Sequence, residues 1–153
     1  MMKRLALLFV LLALVGLSAC SPAAAPAQGA SIEVSDPWVR AVPGTDGMNM
    51  GMNGALYMVI NNHGDASDSL LRVETEAASM AQMHLSEVDA SGVSSMHQVD
   101  AVEVPAGGSV EFKTGGYHVM LMGMKLNVGA TAHFTLYFKN AGAVVVDAPI
   151  KAP

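Results

Sequence analysis

Hydrophobic positions fall into two regimes along this chain. Leu5 to Leu17 is an almost unbroken apolar run, whereas beyond Ile32 apolar residues come in short stretches divided by Gly, Pro, Asn and Asp. The clearest pattern is Thr131 to Lys139. Ala132, Phe134, Leu136 and Phe138 share one parity, while His133, Thr135, Tyr137 and Lys139 share the other. That period of two predicts a half-buried strand. Ala55 to Asn61 is apolar and β-branched and stops at the turn sequence Asn61-Asn62-His63-Gly64-Asp65. Further strands are expected in Leu70–Thr75, Met80–Val88, Val93–Val104, Val110–Phe112, Tyr117–Met124 and Ala143–Asp147, with two short runs around Pro37 in Ile32–Val42. Turn signals lie between them at Asp89–Gly92, Pro105–Gly108, Gly115-Gly116 and Asn140-Ala141-Gly142. Residues 75–83 (TEAASMAQM) are the one stretch that could carry a helical turn. So many short strands predict an all-β sandwich or barrel.

The first run has a different reading. Lys3 and Arg4 precede it, and it falls short of the roughly 20 apolar residues that span a bilayer. A basic start and a short apolar stretch predict a secretory signal peptide. Leu17-Ser18-Ala19-Cys20 resembles the lipobox of bacterial lipoproteins, which implies cleavage before Cys20 and acylation of its sulfur. The alternative is cleavage near a later alanine, with Cys20 discarded. On the lipoprotein reading residues 1–19 are the signal peptide, 20–30 a Pro/Ala-rich tether and 31–153 one folded domain. The protein is then exported and held on a membrane by its N-terminal lipid, facing the periplasm or the cell exterior.

Charge and cysteine content narrow the function. The chain carries a formal net charge of −5, and no Lys/Arg cluster follows Arg4. That argues against nucleic acid and against electrostatic docking on anionic lipid. Cys20 is the only cysteine, so the domain has no thiol and stands on its hydrophobic core. No Ser/His/Asp or Cys/His set and no distinctive carboxylate pair suggests an enzyme.

Methionine supplies the candidate chemistry. All but two of the twelve methionines lie beyond Met2. Met58, between Tyr57 and Val59 in an apolar strand, reads as core filling. Met48, Met50 and Met52 alternate with Asn and Gly beside Pro43-Gly44, which reads as a solvated loop. Thioethers gain little there from burial. Thioether sulfur selects soft ions, Cu(I) foremost, and imidazole is also a good copper ligand. On a strand, His118 and Met120 project from one face, with Met122 and Met124 following and Tyr117, Val119 and Leu121 opposite. His84 and Met96 are further candidates, on either side of a loop that could bring them together. Met83 reads as core; His63 and His133 read as a turn residue and a polar-face residue.

Together these positions form a pattern: His84-Leu85, ten residues, Met96, twenty-one residues, then His118-Val119-Met120. It resembles the copper-binding pattern of the PCu(A)C copper chaperones, also called the DUF461 family. Trp38-Val39-Arg40-Ala41, Ala55-Leu56-Tyr57-Met58, Pro105–Gly108 and Gly115 to Gly123 (GGYHVMLMG) are similar to that family's flanking motifs. The likeness runs from about Ser35 to Val146. It implies a cupredoxin-like Greek-key β-sandwich or barrel, and one Cu(I) held by His84, Met96, His118 and Met120. It also implies an extracytoplasmic metallochaperone, not an enzyme, that delivers copper to the binuclear copper centre of cytochrome c oxidase. The partner is then a copper-accepting oxidase subunit or another copper chaperone.

Two features depart from the pattern. His97 stands where relatives often have Arg, and the Met48–Met52 segment is richer in methionine than the pattern requires. Met48, Met50, Met52 and His97 are therefore accessory metal candidates, open to a second copper. A blue-copper electron carrier is excluded, since such sites need a Cys thiolate. Copper scavenging or tolerance, and a metal-free surface β-sandwich, remain the alternatives.

Overall fold

The computed structural model describes residues 29–42, 53–125 and 127–152. The expected signal peptide, Cys20, most of the expected tether and the Met48–Met52 segment lie outside the described residues. The described chain forms β1 (Ile32–Val42), β2 (Asn53–Asn62), β3 (Asp68–Glu74), β4 (Ala78–Val88), β5 (Ser94–Gln98), β6 (Val102–Val104), β7 (Ser109–Phe112), β8 (Tyr117–Met124), β9 (Thr131–Phe138) and β10 (Gly142–Lys151). It is all-β, as the alternation predicts.

The strands hydrogen-bond in the order β5-β4-β8-β7-β2-β1-β10-β9-β3-β6, with β8 also joined to β2. Most pairs are antiparallel; β1 with β10 and β7 with β8 are parallel. The sheet curls, so that β3 lies against β4 and β6 against β2 and β7. Its inner face holds one core. Val39, Leu56, Ile60, Leu70, Val104, Val119, Leu121, Ala132 and Leu136 are all fully buried there. In β9 the predicted parity holds, with Ala132, Phe134, Leu136 and Phe138 inward.

Three local departures have physical causes. Ile32–Val42 is one strand with a bulge: pairing to β2 shifts between Ser35 and Trp38, and Asp36 adopts φ 51°. Pro37 has no N–H to give the ladder, and a bulge is where a strand accommodates it. Val93–Val104 divides into β5 and β6, because the chain leaves the β4 edge at Val99 and crosses to pair with β3. Residues 75–83 form no helical turn. The chain bends at Glu76-Ala77 and enters β4, where Ala78, Met80 and Ala81 pair with β8. Pairing along a buried sheet overrides the helix propensity of three alanines.

Buried polar groups fix the loops opposite the core ends. Asn62 donates to the carbonyls of Ala66 (2.8 Å) and Val104 (3.3 Å) and accepts from Gly64 N (3.0 Å). Asp68 accepts from Asn140 N (2.9 Å) and Ala141 N (2.8 Å), fastening the β9–β10 turn.

Candidate metal centre

The site is built on the outer face of β5, β4 and β8. Antiparallel register sets His84 directly opposite His118, and the next pair on that face is Gln82 with Met120. Met96 lies opposite Ser86, two residues along β4 from His84 and on the same face. The structure therefore brings His84, Met96, His118 and Met120 to one face of three adjacent strands. The inward parity of the same strands, Met83, Val119 and Leu121, is core.

Local structure aims each side chain. Lys113–Gly116 is a turn, with Gly115 at φ 79° and Gly116 N donating to Lys113 O (3.1 Å). Gly116 O then accepts twice, from Ser86 N (3.1 Å) and from His118 Nδ1 (3.0 Å). A carbonyl only accepts, so Nδ1 carries the proton and Nε2 presents a lone pair. This is the outer bond that orients a metal-binding histidine. Met96 is placed by the β4–β5 hairpin. Asp89 accepts from Ser91 N (2.8 Å) and Val93 N (2.9 Å), and its backbone pairs with Val93 and Gly92. Asp89 is a contributor that sequence reading passes over as an ordinary loop acid. The signal was Asp89 three residues before Gly92 in a short loop.

The two imidazoles stand with ring centroids 5.9 Å apart, tilted by 48°. Two rings sharing one ion through metal–nitrogen bonds of about 2 Å would have centroids roughly 5–6.5 Å apart. Both ring nitrogens of His84 are shielded from solvent and lack a hydrogen-bond partner among the described residues. Such a group costs roughly 1–3 kcal/mol to leave unsatisfied. Burial, then the charges of His118 and His97, hold the His84 pKa below the ordinary 6.5. His84 is thus kept neutral, the form that donates to a metal.

Exposure is graded across the site. His118 is buried, Met120 half-buried, and Met96 51% exposed on the edge strand. A concavity of about 290 Å³ is lined by Met96, His118, Met120, Ala55, Tyr57 and Arg40. The Arg40 guanidinium lies 5.6 Å from the Tyr57 ring centroid. Among the described residues no carboxylate lines this concavity, and a fixed cation beside it penalises a dipositive ion more than a monopositive one. Neutral soft donors beside a cation are chemistry suited to a soft monovalent ion rather than a dipositive one. A wider groove of about 910 Å³, bordered by Glu74, Glu76, His133 and Val145, has no thioether among its described lining residues and shares none of the four candidate ligands.

The remaining candidates separate. His97 is opposite Leu85, on the other face of β5 from Met96. Met122 continues the site face opposite Met80, but Met124 does not continue it. Gly123 takes φ 63°, and Met124 turns into the core at 6% exposure. His63 pairs with Glu33 (2.7 Å) and His133 with Asp147 (2.5 Å), both well exposed.

Residues 32–150 match the family model described as "Putative lipoprotein LpqE-like". The chain belongs to the LpqE-like family. It is 30% identical over 148 residues to "Putative lipoprotein Lxx21020" of Leifsonia xyli subsp. xyli, covering 93% of this chain and 84% of that protein. Among solved structures, the copper-bound PCuAC domain from PmoF2 superposes with a TM-score of 0.63 at 32% identity, over 80% of this chain and 93% of that one. The solution structure of CuI-DR1885 from Deinococcus radiodurans gives 0.55 at 28% identity, over 77% and 78%. The fold is that of the cupredoxin-like PCuAC domains, and these structural relatives of the LpqE-like chain are copper-binding domains.

Proposed function

We propose that this protein is an exported Cu(I) carrier in which His84, Met96, His118 and Met120 hold one ion per domain. The observation that carries this is the His84–His118 pair. One imidazole has two buried nitrogens without a partner among the described residues; the other is locked by Gly116 O with its second nitrogen available. Likeness to a copper-bound PCuAC domain and to CuI-DR1885 supports the same ion.

His84 and His118 supply the firm, oriented donors. Met120 and the exposed Met96 supply uncharged thioethers that exchange readily with an incoming ligand. An edge methionine that can swing away is suited to handing the ion on, and the recipient is a respiratory oxidase's copper-accepting subunit or another copper chaperone. Residues 1–19 are the export signal, Cys20 the lipidated anchor, 20–30 the tether and 31–153 the working domain. Its membership of a family described as lipoproteins supports the anchor. Met48, Met50, Met52 and His97 are an accessory set of weaker donors, which would show as copper taken up beyond the ion of the four-ligand site.

The test is anaerobic Cu(I) titration of a form lacking residues 1–30 against a chromogenic chelator. One tightly held copper per chain, without a visible blue band, is expected. Failure to compete with the chelator would overturn the reading.

A further inference from the structure

The outer face of β4 and β8 carries a third cross-strand pair beyond the two that reach the proposed copper site. Along this ladder His84 faces His118, Gln82 faces Met120, and Met80 faces Met122. Directly opposite residues have Cβ atoms roughly 4.5–5.5 Å apart, and successive pairs on one face are about 7 Å apart. Met80 is 50% exposed and Met122 half-buried. Neither lines the concavity that holds Met96, His118 and Met120. Core packing does not account for Met80: the inward neighbours Ala81 and Met83 fill that role, and a half-exposed thioether gains only part of the benefit of burial.

We propose that Met80 and Met122 form a second, thioether-only site for a soft monovalent ion, which takes Cu(I) from solution or a donor and passes it along the face through Met120. Two sulfurs without imidazole bind more weakly than the His/Met set, so the site loads after it at equilibrium. Methionine side chains are long and unbranched, and Met120 stands one step from either pair, so adjacent donors can exchange one ion. Met80 at the outer end of the route is exposed, Met122 and Met120 are both half-buried, and His118 at the inner end is buried. The ion stays among neutral soft ligands throughout, and no change of oxidation state is involved. The proposal rests on the Cu(I)-carrier reading for its purpose, but its readout is separate.

Ag(I) serves as a redox-inert soft probe, added to the form lacking residues 1–30 labelled with 13C at methionine ε-methyls and 15N at histidine. The first equivalent should shift the His84 and His118 ring signals and the Met96 and Met120 methyls. The second should shift the Met80 and Met122 methyls, and this step should be lost in M80L and M122L while the first persists. Leu matches Met in volume, and M80L alters only a half-exposed position, so that variant keeps the test valid if M122L misfolds. Met80 and Met122 methyls that stay fixed through excess Ag(I), or a second equivalent that moves only Met48, Met50 and Met52, would overturn the proposal. Unmoved histidine rings would instead count against the carrier reading, whatever the methyls do.

Discussion

At the scale of single residues, the site depends on which nitrogen of each histidine is free and which thioethers share its face. His118→Ala removes the oriented donor, and Met120→Ala a thioether beside it. Each is expected to weaken Cu(I) binding at least about tenfold, the equivalent of about 1.4 kcal/mol, with the far-ultraviolet circular dichroism unchanged. His84 gives a pH signature. Its folded pKa lies below 6.5, through burial first and the neighbouring histidine charges second. The unfolded chain therefore takes up a proton there before the folded one does. The contribution is fully present above pH 6.5 and is lost as pH falls from that value toward the folded pKa. Urea melts of the apo-protein from pH 7.5 to 5 should show stability declining in that window, and H84Q should flatten the decline. A decline of equal size in H84Q would assign it to other groups.

At the scale of elements, strand pairing and turn chemistry hold the donors in register. A Cβ at Gly54 would lie 2.4 Å from Met124 Sδ and 2.9 Å from Arg40 O. The methionine end can move, but the β1 backbone cannot without disturbing the pairing of Ala55 to Met120. Gly54→Ala should cost about 1–3 kcal/mol in denaturant melts and weaken copper binding as well. Asp89→Ala frees two N–H groups in the β4–β5 hairpin and should loosen Met96 alone. The expected outcome is faster Cu(I) release to a chelator with little change in melting temperature. Strand boundaries were legible where alternation was strong: Tyr117–Met124 is β8 as read, and Thr131–Lys139 is β9 to within one residue. They were not legible where pairing rather than periodicity decides, as at the β5/β6 break and at residues 75–83.

At the scale of the whole molecule, a lipid-anchored carrier on a tether would search for its acceptor close to the membrane. Cys20→Ser should move the protein from the membrane fraction to the soluble fraction of the native host, with Cu(I) affinity unchanged. If the variant stays with the membrane, Cys20 is not the anchor.

The linear chain determined the donor types, the absence of a thiol beyond Cys20, the basic-then-apolar pattern of its first residues and the period-two strands. Those follow from composition and local spacing, which need no partner to be read. Even the pairing of His118 with Met120 follows from alternation alone. Only the tertiary structure set His84 opposite His118, because inter-strand register arises from the whole buried face of the sheet. Only it buried the His84 nitrogens without a partner among the described residues. It also sent His97 to the far face, buried Met124 and set Met80 against Met122, since a single strand does not reveal which neighbour it will meet or in what phase.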